Sequence, residues 1–169
     1  MSRNRVAAGM IAGFVGGVVG AWMMNEFQSI ASEVQEKEKQ RHSHRREQQS
    51  QQDDSDDATM KAADKLSQLV THHPLTKQQK KEFGPVVHYA FGGAMGALYG
   101  ATAAIMPAAS TGFGTLFGAA LFLFADEAAV PALGLSKKPQ DYPASSHAMA
   151  LASHLVWGTT TEAVRRLAA

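Results

Sequence analysis

The chain has 169 residues, with 16 Lys and Arg against 15 Asp and Glu, and no cysteine. A net charge of +1 gives no reason to expect nucleic acid as a partner, and without cysteine there is no disulfide, zinc–thiolate or iron–sulfur site. The slightly negative mean hydropathy misleads, because most charged residues fall between Glu33 and Glu82 and the flanking stretches are apolar and rich in Gly and Ala.

The first element is the apolar run over residues 6–27, long enough to cross a hydrocarbon core of about 30 Å. It contains Gly9, Gly13, Gly16, Gly17 and Gly20. In a soluble helix each would cost about 1 kcal/mol against Ala. In lipid the backbone stays hydrogen-bonded regardless, and small residues let a second helix approach closely. Arg3 and Arg5 mimic the start of a signal peptide. The run continues through Ala21-Trp22-Met23-Met24 without a cleavage site, so a retained membrane helix is expected. Phe27, Ile30, Ala31 and Val34 keep a helical period, which predicts an amphipathic extension out of the bilayer.

Residues 28–84 read as an extramembrane segment. The stretch 41–57 is low-complexity and predicts disorder or a solvated helix, with His42 and His44 in water. Met60, Ala63, Leu66, Leu69 and Val70 predict a short amphipathic helix, lying on the membrane or against the helix 1 extension. His72-His73-Pro74 ends it, with both histidines solvated. Thr76 and Gln79 have capping-box spacing. Lys77, Lys80 and Lys81 stand where they can meet lipid phosphates.

The second apolar run, 85–106, repeats the four-residue glycine spacing at Gly92, Gly96 and Gly100 and stops before Pro107. Ser110 or Thr111 is the expected cap of a third helix over 112–135, which holds Gly114 and Gly118 and meets Asp126-Glu127 ahead of Pro131. Asp141 and Pro143 announce a fourth over 144–167. The expected fold is all-α: a polytopic membrane protein, a four-helix transmembrane bundle forming a single membrane domain over 1–169, with a charged helical or disordered insertion between helices 1 and 2. Its packing faces carry Gly9, Gly13, Gly17, Gly92, Gly96, Gly100, Gly114 and Gly118. The Lys and Arg bias puts the central loop on the cytoplasmic side.

Up-and-down connectivity places Glu26, His88, Asp126, Glu127 and His147 at similar depth, with His154 two turns further in on nearly the same face as His147. Ionisable groups inside a span are costly and face partners or water. Asp126 and Glu127 diverge by about 100° on a regular helix, so one should face the bundle and the other the headgroups. Three readings of this polar belt stay open: interhelical hydrogen bonds that set register, a proton-responsive or proton-conducting site, or a metal site on His88, His147 and a carboxylate. No His-Glu-x-x-His motif is present. Trp22 and Trp157 are expected as interfacial anchors or packing groups. There is no phosphate-binding loop, dinucleotide fingerprint or nucleophile elbow. The expected role is therefore a non-enzymatic membrane scaffold or interaction protein without cofactor or catalytic residue. Its partners would be the lipid bilayer and a second copy or another membrane protein. The alternatives are an oligomeric proton or divalent-metal permeation unit and, more weakly, a membrane-bound metalloenzyme.

Three segments carry a family likeness. Phe124-Ala125-Asp126-Glu127-Ala128-Ala129-Val130-Pro131 with Leu133-Gly134-Leu135, the run Ser146-His147 through Ser153-His154-Leu155-Val156-Trp157-Gly158, and His88-Tyr89-Ala90-Phe91-Gly92 resemble the YagU-like group of bacterial inner-membrane proteins. The likeness covers about residues 86–162. It implies a bacterial integral membrane protein and brings no reaction, ligand or catalytic residue with it.

Overall fold

The computed structural model describes residues 3–42 and 57–168; residues 43–56, which hold most of the low-complexity stretch and His44, lie outside them. The apolar run and its amphipathic continuation form one 40-residue helix, α1 (Arg3–His42). Ile30 and Val34 on the continuation are exposed. α2 (Ala58–Thr71) starts on Asp57, whose Oδ1 accepts the Met60 amide at 2.8 Å, and ends at His72 with φ 59°. It packs on α3 (Lys77–Ile105), with Gly84 beneath Met60 and Thr59.

α3 begins at Lys77, earlier than the apolar run alone predicts, because the Thr76 capping box nucleates it. Thr76 Oγ1 accepts the Gln79 amide at 3.3 Å, and Gln79 Oε1 accepts the Thr76 amide at 2.9 Å. Pro85 is absorbed inside the helix, and α3 stops before Pro107. A 3-10 turn (Pro107–Ser110) follows, and then Gly112, Phe113 and Gly114 take φ of 74°, 55° and 81°. A left-handed stretch cannot continue a right-handed helix, so α4 (Thr115–Leu121) starts three residues later than expected. Its cap is Gly114, not a Ser110 or Thr111 hydroxyl.

α4 runs without a break into a π-helical segment (Phe122–Ala129) and α5 (Val130–Ala132). In the π segment the Val130 amide reaches back five residues to the Ala125 carbonyl. Pro131 explains the wider winding: on a regular helix its ring presses on the carbonyl of Glu127, four residues earlier. A short 3-10 turn (Pro139–Asp141) leads to α6 (Ala144–Ala168).

α1 packs antiparallel along both α3 and α6, and α4 packs on α6. Glycines make each of these contacts. Gly9 faces Gly100, Gly13 faces Gly96 and Gly17 faces Gly92 between α1 and α3. A Cβ on Gly9 would stand 2.6 Å from the Gly100 carbonyl oxygen, closer than two such atoms can come. Gly16 lies as tightly against the Thr161 carbonyl of α6, and Gly114 and Gly118 meet Gly158 and the His154 carbonyl. The centre is correspondingly small: Ala21, Met24 and Trp157 form its apolar cluster, and the Trp157 indole N–H donates to the Gly17 carbonyl at 3.0 Å. Trp157 is thus a packing group, while Trp22 is half exposed.

Polarity is distributed inside-out. Ser153, Thr161 and Glu162 are completely buried, whereas Ile11, Leu116 and Phe124 are 68%, 62% and 74% exposed. The Ser153 and Thr161 hydroxyls donate to carbonyls one turn back in α6, Met149 at 2.8 Å and Trp157 at 2.7 Å, so they are buried without an orphan donor. All elements among the described residues are helical. Among the described residues two helices, Arg3–Lys37 and Thr115–Ala132, are long and apolar enough to cross a membrane.

Candidate functional site: an ionisable belt and an internal cavity

The polar belt collects at the end of the bundle where α2 folds back. Its tightest contact joins the π segment to α6: His147 Nδ1 lies 2.6 Å from Glu127 Oε1, and His147 Nε2 lies 3.0 Å from the Pro139 carbonyl. A carbonyl only accepts, so Nε2 carries a proton. Two turns further along α6, Asp126 Oδ2 is 3.8 Å from His154 Nδ1, which donates to the Ala150 carbonyl at 2.9 Å. Both adjacent acids therefore address α6, at two histidines seven residues apart. That differs from the expectation that one would turn to the headgroups. Regular helical geometry spreads neighbours by about 100°; the wider π winding closes a small part of that angle.

Glu26 does not join. It is exposed, and its neighbours turn inward instead: Asn25 donates to the Tyr89 hydroxyl at 3.3 Å, and Gln28 to Ser153 Oγ at 3.1 Å. His88 sits across from Asp126 and His154 on α3, edge-on to Tyr89, with its Nε2 buried and without a hydrogen-bond partner. His88, Asp126 and His154 line one cavity of about 660 Å³ between α1, α3, the π segment and α6, with α2 as a further wall. Glu127 and His147 line a smaller hollow next to it, of about 220 Å³, which Asp126 also borders. Among the described residues no three His, Asp or Glu side chains converge as a metal-ligand set would.

A second ionic site was not anticipated. Glu162, completely buried on α6, accepts from four donors: the Tyr99 hydroxyl at 2.9 Å, Arg165 Nε at 2.7 Å and Nη2 at 2.9 Å, and Arg166 Nε at 2.6 Å. The Arg166 guanidinium also stands 4.8 Å over the Phe113 ring, in cation–π range. A fully desolvated carboxylate persists only when its lone pairs are filled in this way. Arginines three and four residues after a glutamate are a readable helical pairing. Tyr99, on another helix, carries no such signal.

These features define an all-α protein with glycine-packed helices, many exposed apolar side chains and ionisable groups gathered around a half-open cavity between the helices. The chain belongs to a protein family of unknown function, DUF1440, whose match spans residues 49–163. That span takes in α2 through Glu162 but neither Arg165 and Arg166 nor α1, the helix that α3 and α6 both pack against. No curated protein and no solved structure matches the chain.

Proposed function

We propose that this is a multi-pass, YagU-like protein of the bacterial inner membrane, a non-enzymatic scaffold whose helix packing responds to pH through the Glu127–His147 contact. The membrane reading is supported by the inside-out polarity. Only 33% and 17% of the apolar windows in the two candidate spans are buried, whereas the core helix of a water-soluble protein is mostly covered. Lipid provides the missing cover.

The single observation behind the pH response is the 2.6 Å approach of His147 Nδ1 to Glu127 while Nε2 is already committed to a carbonyl. Both ring nitrogens face acceptors. A proton must therefore lie between the ring and the carboxyl group, on one or the other. Alkali removes that proton and sets a lone pair against a carboxylate, so the contact opens as pH rises. In lipid nanodiscs, the amides of the 134–142 connection should lose hydrogen-exchange protection on raising the pH through the transition. Glu127→Gln should abolish that dependence, because an amide N–H can donate to the neutral ring. Protection that does not vary with pH in the unaltered protein would refute the response.

A further inference from the structure

We infer that the 660 Å³ cavity is a binding site for a hydrophobic organic cation, seated with its charge against Asp126. Its volume lies within the range of about 300–1,000 Å³ usual for small-molecule sites. Its walls are largely apolar, with Phe91 and Trp157 among them, and Trp157 is otherwise buried in the core of the bundle. Aromatic faces attract a desolvated cation.

The charge of the lining selects the ligand class. Among the described residues two carboxylates, Asp57 and Asp126, border the cavity and no Lys or Arg does. Asp57 is already engaged: its Oδ1 accepts the Met60 amide at 2.8 Å and the Thr59 hydroxyl at 2.7 Å. Asp126 has no hydrogen bond among the described residues. The His154 ring 3.8 Å away gives its Nδ1 proton to the Ala150 carbonyl, 2.9 Å off. The Asp126 side chain is 40% exposed, so its oxygens stay open to a positive charge seated in the cavity. An anion would meet two carboxylates here, and a neutral guest would make no use of the charge on Asp126. This site does not depend on the Glu127–His147 pH response, which hydrogen exchange reads separately.

Tetraphenylphosphonium and tetraphenylborate make a direct test, since they share size and shape and differ in the sign of the charge. Equilibrium dialysis against the full chain in nanodiscs should show saturable binding of the phosphonium, one per chain, and none of the borate. Asp126→Asn should weaken phosphonium binding at least tenfold. Ala62→Lys, which places a cation on the α2 wall, should abolish it and provides the same test should Asp126→Asn misfold. The inference is overturned by equal affinity for both ions, by unaltered affinity in either folded variant, or by the lack of saturable phosphonium binding.

Discussion

Glu162 shows how a single residue can be legible in one dimension and hidden in another. Its arginine partners sit at the helical spacings that put side chains on one face, so the local half of the network can be read directly from the chain. Tyr99 comes from 63 positions away, and only the packed bundle brings its hydroxyl to Oε2. The two ends of the ion pair differ in energetic weight. Glu162 is fully buried, whereas the Arg166 side chain is 52% exposed and keeps access to water. Glu162→Ala should cost about 3–5 kcal/mol, because it strands the largely buried Arg165 guanidinium and the Tyr99 phenol. Arg166→Ala should cost less than about 1 kcal/mol. Thermal unfolding in detergent, followed by circular dichroism, measures both; equal losses would mean that the carboxylate is not the hub.

At the scale of elements, the α2–α3 elbow depends on Asp64. Its Oδ1 accepts the Leu75 amide at 2.7 Å, and its Oδ2 takes Gln68 at 3.1 Å and Lys80 at 3.2 Å. The Leu75 hydrogen bond above all, with Lys80 and Gln68, holds the Asp64 carboxyl below its ordinary value of 3.8, against a smaller opposing effect of burial. A depressed value in the folded state means that the stabilisation is present above the unfolded-state value and disappears as pH falls through the folded one. Protection of the Leu75 amide should therefore persist at neutral pH and collapse at strongly acidic pH. Asp64→Asn should weaken protection across the range, as read by amide exchange. Which elements were visible in advance follows from how local their causes are. The Thr76–Gln79 box spans four residues and is plain in the chain. The start of α4 depends on three successive positive φ angles, one of them at Phe113, a residue type that gives no warning of it. The π winding escapes any reading that assumes a constant helical period.

For the whole molecule, the four-residue glycine spacing exposed the packing faces but could not say which face meets which. That pairing, Gly9 with Gly100 through Gly17 with Gly92, is a property of the assembled bundle, and so is the cavity, which exists only where four helices stand apart. The close approach makes a sharp prediction. A side chain at Gly96 would strike the Gly13 carbonyl and the Gly17 backbone, neither of which can swing away. Gly96→Leu should lower stability in detergent by about 1–3 kcal/mol or more through overpacking. Leu98→Ala, two positions along on an outward face that is 53% exposed, should leave the thermal midpoint nearly unchanged. The stretch Phe122–Ala129 has a different kind of consequence. Because the extra winding there orients everything that follows, the number of residues matters as much as their chemistry. Deleting Ala125, which precedes both acids, would restore a tighter coil and swing Glu127 away from its imidazole, disarming the pair with both partners still present.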